Sequence, residues 1–326
     1  MLIKHKQLSI GLAIPFASLL ISCSAGSSSN TVNGYVYLIP GSNQVQQCQV
    51  VNNVVNAASC KGMDGTFESP TAVAFDVSKT YAYVANGGNS TLSICTLKND
   101  KSFNSCEPIP IGVPLSKPSS LVVAGNNLYI SNSNSTVTMC TIGDTGVLSA
   151  CSNKSVIESF RSITANSSSS LYGLTNSGAI YSYSLPDMTN GTQINYTESG
   201  VSNQINYNPT NSLLYIAAKN GALLGGSIYG CNLTANPVSC MTAFNTSLTP
   251  PPIIFPAPIF AVATANTQAY FIDYAVKNIL SIESPATLIN SCSIAANGEF
   301  ANCNASVLST DNLSTKGALA ITYLGL

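Results

Sequence analysis

Eleven cysteines are the side chains of this 326-residue chain best placed to do chemistry. Ten of them fall into five close pairs: Cys48/Cys60, Cys95/Cys106, Cys140/Cys151, Cys231/Cys240 and Cys292/Cys303. Paired cysteines in even number are the pattern of structural disulfides formed in an oxidising compartment. A metal site is the other chemistry open to them. Ten Cys with no CxxC spacing and no nearby His make a poor zinc pattern, and no cofactor is expected. The only His is His5, in an N-terminal segment read below as removable. Without it, the commonest general base is missing and a Ser-His-Asp or Cys-His site cannot be built. No GxSxG, P-loop or GxGxxG motif occurs, so no catalytic residue is assigned. Asp76, Asp273 and Glu283 are available for carboxylate chemistry, but no spacing brings them together, and they read as turn or strand-end acids.

Disulfides between residues so close in sequence need an element that folds back on itself. Cys95-Thr-Leu97 runs on to Phe103 and Cys106, Cys140-Thr-Ile142 to Leu148 and Cys151, and Cys292-Ser-Ile294 to Phe300 and Cys303. Turn residues separate the arms: Asn99-Asp100, Gly143-Asp144-Thr145-Gly146 and Asn297-Gly298. This is a β-hairpin signature, with a Cys facing its partner across two antiparallel strands. The second Cys and the large apolar residue three positions before it differ in strand parity. A bulge or a frayed end is therefore expected between them.

The hairpins recur. Ahead of each lies a Tyr-rich strand, at Gly34–Leu38, Tyr81–Asn86, Leu128–Asn132, Leu171–Thr175, Leu213–Ala217 and Ala269–Asp273. A further short strand precedes five of these, at Ala72–Phe75, Leu121–Ala124, Ser162–Ala165, Ile205–Tyr207 and Phe260–Ala263. Four short strands every 40 to 50 residues are the mark of a β-propeller blade. The run Tyr83-Val-Ala-Asn86-Gly-Gly-Asn-Ser-Thr-Leu-Ser-Ile94 resembles the bacterial YVTN-type repeat of lactonase-like propellers, and Tyr129-Ile-Ser-Asn132 onward is a weaker copy. The fourth unit has no Cys. The last strand, Ala318–Tyr323, supplies the first strand missing from the N-terminal unit, so the ring closes without an open edge. The expected fold is all-β: one propeller over 33–326, with six four-stranded blades and hairpin disulfides in most of them. Seven blades is the alternative count, given the weak fourth unit and the long insertion from Ala275 to Asn290.

Cys23 is left over. It follows Lys4, Lys6 and an apolar stretch from Leu8 to Ile21 that is short for a bilayer span and reads as a signal peptide. Leu20-Ile21-Ser22-Cys23 resembles the bacterial lipobox, which implies cleavage after residue 22 and lipidation of Cys23. An ordinary secretory signal with an incidental Cys is the other reading. Ser24, where an Asp would resemble an inner-membrane retention signal, leans towards the outer membrane. Residues 23–32 read as the lipidated Cys and a flexible tether, whose nine residues Ser24 to Val32 span about 15–18 Å as a random coil. The expected location is the cell envelope, periplasmic or surface-exposed, with the membrane as one partner through the lipid.

Charged residues make up only 8% of the chain, and removal of residues 1–22 leaves a net charge of −3. No basic patch suits nucleic acid. The resemblance implies either an envelope binding or scaffold protein or a lactonase-type enzyme. The absent catalytic residues favour non-enzymatic binding of an envelope protein or glycan. The alternative is a lactonase- or lyase-type enzyme using channel carboxylates, with calcium in some versions. Thr249-Pro-Pro-Pro-Ile-Ile-Phe-Pro-Ala-Pro-Ile-Phe260 is a stiff apolar loop. Ile253, Ile254 and Phe255 are its candidate partner contacts, weighed against a plain role in capping the gap between two blades.

Overall fold

The computed structural model describes residues 30–167, 169–196, 201–219, 226–235, 238–245, 259–275, 286–309 and 319–326. From Thr31 to Leu326 they form one unit, a six-bladed β-propeller. Blade 1 is built from Leu319–Gly325, Val32–Pro40 and Gln46–Val51, with two short outer pieces, Val54–Val55 and Lys61–Gly62. Blade 2 has Pro70–Phe75, Tyr81–Asn86, Thr91–Leu97 and Phe103–Pro108, and blade 3 has Ser120–Ala124, Asn127–Ser131, Thr136–Ile142 and Leu148–Ser155. Blade 4 has Phe160–Asn166, Ser170–Thr175, Ile180–Ser184 and Thr189–Ile194, and blade 5 has Val201–Asn208, Leu213–Lys219, Gly226–Asn232 and Ser239–Asn245. Blade 6 has Ile259–Ala265, Gln268–Ala275, Ala286–Ile294 and Phe300–Ser309. In each, the first-named strand is innermost and all pairings are antiparallel.

The ring closes as the sequence suggests. Leu319–Gly325 pairs with Val32–Pro40 in an unbroken register from Gly34 opposite Gly325 to Pro40 opposite Leu319. The Tyr323 and Tyr270 rings stack 5.1 Å apart across the seam between blades 1 and 6.

Second strands are apolar along their length rather than alternating, because a neighbouring blade covers each face. In blade 2, Ala82 to Asn86 are all buried, while the outer strand exposes Asn104, Ser105, Glu107 and Pro108. The recurring Tyr of the second strand has a definite job. Its ring packs between blades, and in blades 1, 2, 3 and 5 its hydroxyl donates to a carbonyl in the outer hairpin turn of the next blade. Tyr37 donates to Lys101 O (2.5 Å), Tyr83 to Gly146 O (2.7 Å), Tyr129 to Pro186 O (3.4 Å) and Tyr215 to Gly298 O (3.1 Å). A buried hydroxyl needs such a partner. Tyr270 is the equivalent residue of blade 6, and its hydroxyl has no partner among the described residues.

The five disulfides are the five sequence pairs, with Cα atoms 4.0 to 4.1 Å apart. The parity mismatch is resolved by bulges. In blade 2, Thr96 opposes Ser105 but Leu97 opposes Phe103, which leaves Asn104 over. In blades 3 and 6 the irregularity lies beside the disulfide, at Ala150 (φ 48°) and Asn302 (φ 50°). Cys231 and Cys240, with the shorter separation, face each other directly. Blade 1 departs from the hairpin expectation. Cys60 follows a 3-10 turn, Ala57–Ser59, rather than sitting in a continuous outer strand, and Ser59 Oγ accepts the Gln49 N–H (2.8 Å) that such a strand would have bonded.

Blade 4 replaces the bridge with an aromatic ring. Tyr183 stands opposite Leu171, as Cys140 stands opposite Leu128 in blade 3. Its ring lies over Gly191, where an added Cβ would come within 2.6 Å. Tyr183 and Gly191 thus occupy the places of a cysteine pair, and Asn190 (φ 57°) keeps the bulge. Tyr196 falls just beyond the blade's last strand, and its hydroxyl donates to Gly178 O (2.6 Å).

Candidate functional site: the central channel

The six innermost strands surround a cavity of about 750 Å³, within the range of small-molecule sites. Ala72, Ala74, Ala263 and Ala320 line it together with larger apolar residues such as Ile163 and Ile205. The chain runs the same way along the channel in every blade. One rim therefore collects the starts of the innermost strands and the other collects their ends.

At the starting rim a regular ring of bonds joins consecutive blades. Thr71 Oγ1 donates to Pro118 O (2.7 Å), Ser119 Oγ to Phe160 O (2.6 Å), Arg161 Nη1 to Ser202 O (2.7 Å) and Asn203 Nδ2 to Ile259 O (3.0 Å). Each donor follows a residue whose own carbonyl stands in the equivalent place. Deeper in, Ser120 Oγ accepts from Ile163 N (3.1 Å), Ser162 Oγ from Ile205 N (3.2 Å), and Asn206 Oδ1 from Thr264 N (3.0 Å). Gln204 reaches from blade 5 to Ile321 O of blade 1 (3.3 Å), and its Oε1 is buried without a partner among the described residues.

Arg161 is the only arginine in the chain. Its Nε donates to Asn176 Oδ1 (3.2 Å), which together with the Ser202 bond fixes the guanidinium plane. Neither ion pair among the described residues involves it; those are Lys61–Asp100 and Lys98–Asp64. Apart from that uniqueness, nothing in the sequence singles Arg161 out. Only the ring geometry shows that it faces the channel.

The candidate carboxylates do not converge. Asp76 ends the innermost strand of blade 2, at the far rim. It is held in its turn by the N–H groups of Ser78 (3.2 Å), Thr80 (2.9 Å) and Tyr81 (2.7 Å) and by the Ser78 hydroxyl. Asp273 lies near the end of a second strand, on the side of the starting rim, and is not part of the channel wall. It occupies the place of Asn86 and Asn132, the Asn residues of the repeat. Those two act as clamps. Asn86 Nδ2 donates to Thr91 Oγ1 (3.3 Å) and Ser93 Oγ (3.0 Å), and Asn132 Nδ2 to Thr136 Oγ1 (3.2 Å) and Thr138 Oγ1 (3.0 Å). Asn132 Oδ1 also accepts from Ser116 N (3.1 Å). Asp273 is 7% exposed. Burial pushes its carboxyl up to about 6, against the opposing effect of the Asn290 amide. Neither Asp273 Oδ1 nor Asn290 Nδ2 makes a hydrogen bond of ordinary geometry.

Among the described residues no three Asp, Glu, His or Cys side chains gather in a metal-binding group, and no helix is long and apolar enough to cross a membrane. Glu283, Cys23 and the proline-rich loop with Ile253, Ile254 and Phe255 lie outside the described residues.

No known family matches the sequence, and no curated protein matches it. Solved structures do resemble the fold. A chain of a nidogen/laminin complex is 13% identical with a TM-score of 0.63, over 89% of this chain and 97% of that one. A protein of unknown function from Bacteroides caccae is 13% identical with a TM-score of 0.53, over 89% and 99%. Hydrazine synthase of Kuenenia stuttgartiensis is 12% identical with a TM-score of 0.53, over 77% and 69%. At such identities the likeness carries the propeller fold and nothing about activity.

Proposed function

We propose that this chain is a lipid-anchored envelope protein whose propeller binds a ligand or partner without transforming it. The observation that carries the reading is the composition of the channel wall. It presents hydroxyls, amides, apolar side chains and the Arg161 guanidinium, with Asp76 and Lys79 at the far rim, while Asp273 lies on the side of the starting rim and outside the wall. Groups of this kind recognise a polar ligand through fixed hydrogen bonds. Acid–base chemistry would instead need titrating groups within reach of one reacting atom.

The anchor is part of the proposal. The leader, the lipobox-like Leu20-Ile21-Ser22-Cys23 and the Ser-rich stretch after it support a lipid on Cys23. The described chain begins beside its last residue, where Leu326 N donates to Asn33 O (3.2 Å), on the rim opposite Arg161. Two experiments test the reading. Palmitate labelling should mark the wild-type chain and not Cys23→Ser. Crosslinking in native envelopes, read by mass spectrometry, should return one reproducible protein or glycan partner. Labelling that survives in Cys23→Ser would reject the anchor, and the absence of any reproducible partner would count against the binding role.

A further inference from the structure

We infer that the Arg161 rim is a binding site for a monocarboxylated sugar, an inference that rests on the binding role proposed above. Thr71, Ser119 and Asn203 hold the same ring position as Arg161, and each joins its blade to the next with one donor. The ring therefore requires one N–H or O–H at this place. Arginine has five. One serves the ring through Ser202 O and a second is spent on Asn176 Oδ1, which sets the plane of the fork. The remaining donors and the positive charge have no carboxylate partner among the described residues. A guanidinium with a free edge, fixed in orientation at a cavity wall, matches a carboxylate in geometry and charge.

The surroundings narrow the ligand further. Asn176 Nδ2 and Asn203 Oδ1 make no described bond, and both residues line the same cavity as Arg161, adding one donor and one acceptor. Such a pair suits the hydroxyls of a sugar ring. The cavity, about 750 Å³, has room for one or two such rings. The other charged groups of the wall, Asp76 and Lys79, are engaged at the far rim. Asp76 is bonded within its turn and Lys79 Nζ donates to Gly325 O (2.6 Å). Arg161 is thus the charged group of the wall at the starting rim, with the Glu158 carboxylate nearby accepting from Ser177 Oγ (2.9 Å).

Isothermal titration of the full chain in detergent tests this, with D-glucuronate and D-galacturonate as probes and D-glucose and acetate as comparisons. At least one uronate should bind at least tenfold more tightly than either comparison. Arg161→Met should weaken that binding at least tenfold, with Arg161→Lys intermediate because it keeps the charge and loses the fork. Asn176→Ala, which keeps the guanidinium charge but frees its plane and removes one ligand-facing amide, should weaken it less. Melting temperatures of all three variants establish that they fold. The inference is overturned if no uronate binds, if acetate or glucose binds as well, or if Arg161→Met and Asn176→Ala, both folded, keep the wild-type affinity. Those results leave the binding role standing whenever envelope crosslinking still returns a partner. Chemical conversion of the bound uronate, followed by NMR, would instead reject the non-enzymatic role.

Discussion

Asp273 shows how one substitution within a repeat changes the energetics of a blade. The amides of Asn86 and Asn132 donate to hydroxyls on the neighbouring strand, whereas an ionised carboxylate can only accept. With the carboxyl raised to about 6, the folded state holds a proton that the unfolded chain releases near 3.8. Stability contributed by this group is full below pH 4, falls as the pH rises through that interval, and stays low above 6. Asp273→Asn removes the dependence. It should raise stability by up to about 3 kcal/mol at pH 7 and change it little at pH 4. Thermal melts of both proteins from pH 4 to 8 check this, and parallel curves would refute it. Tyr83 offers a second measurement. Its hydroxyl is kept in the neutral, donating form by burial, and it bonds Gly146 O. Tyr83→Phe leaves that carbonyl without its partner and should cost about 1 kcal/mol in urea denaturation.

Among the elements, the outer hairpin is the repeated unit, and the disulfide is one of two ways to close it. Cross-links over 9 to 12 residues stabilise by about 2–3 kcal/mol each on the chain-entropy account. Replacing Cys95 and Cys106 together with Ser should lower stability by that amount, as measured by urea denaturation. The aromatic form of the closure can be converted to the covalent one. Tyr183→Cys with Gly191→Cys places two thiols where the other blades have a bridge. The double variant should contain no additional free thiol when titrated under denaturing conditions. Two extra free thiols would show that Tyr183 and Gly191 do not stand in the places of a cysteine pair.

The propeller as a body depends on closure. Leu319–Gly325 is the innermost strand of blade 1, and it also touches blade 2, where Thr322 Oγ1 donates to Val73 O (3.1 Å). Removal of residues 319–326 opens the ring and exposes the edge of Val32–Pro40, whose Tyr35 to Pro40 are all buried. An exposed apolar edge pairs with other chains. The truncated protein should lose its cooperative melt and sediment as aggregates. A monomer with an unchanged melt would show that the closing strand is dispensable.

Blade period, cysteine pairing, hairpin bulges and the closing strand are legible in the chain alone, because each is local in sequence or repeated along it. Strand parity and turn chemistry act over a few residues, and a repeat shows the same pattern several times. Six blades rather than seven could be decided only in the fold, because the fourth unit hides its likeness by exchanging a Cys pair for Tyr183 and Gly191. The candidate site was also hidden. Thr71, Ser119, Arg161 and Asn203 share no residue type and lie more than 40 positions apart. What makes them equivalent is the bond that each sends to the next blade, and that contact exists only once the ring has closed.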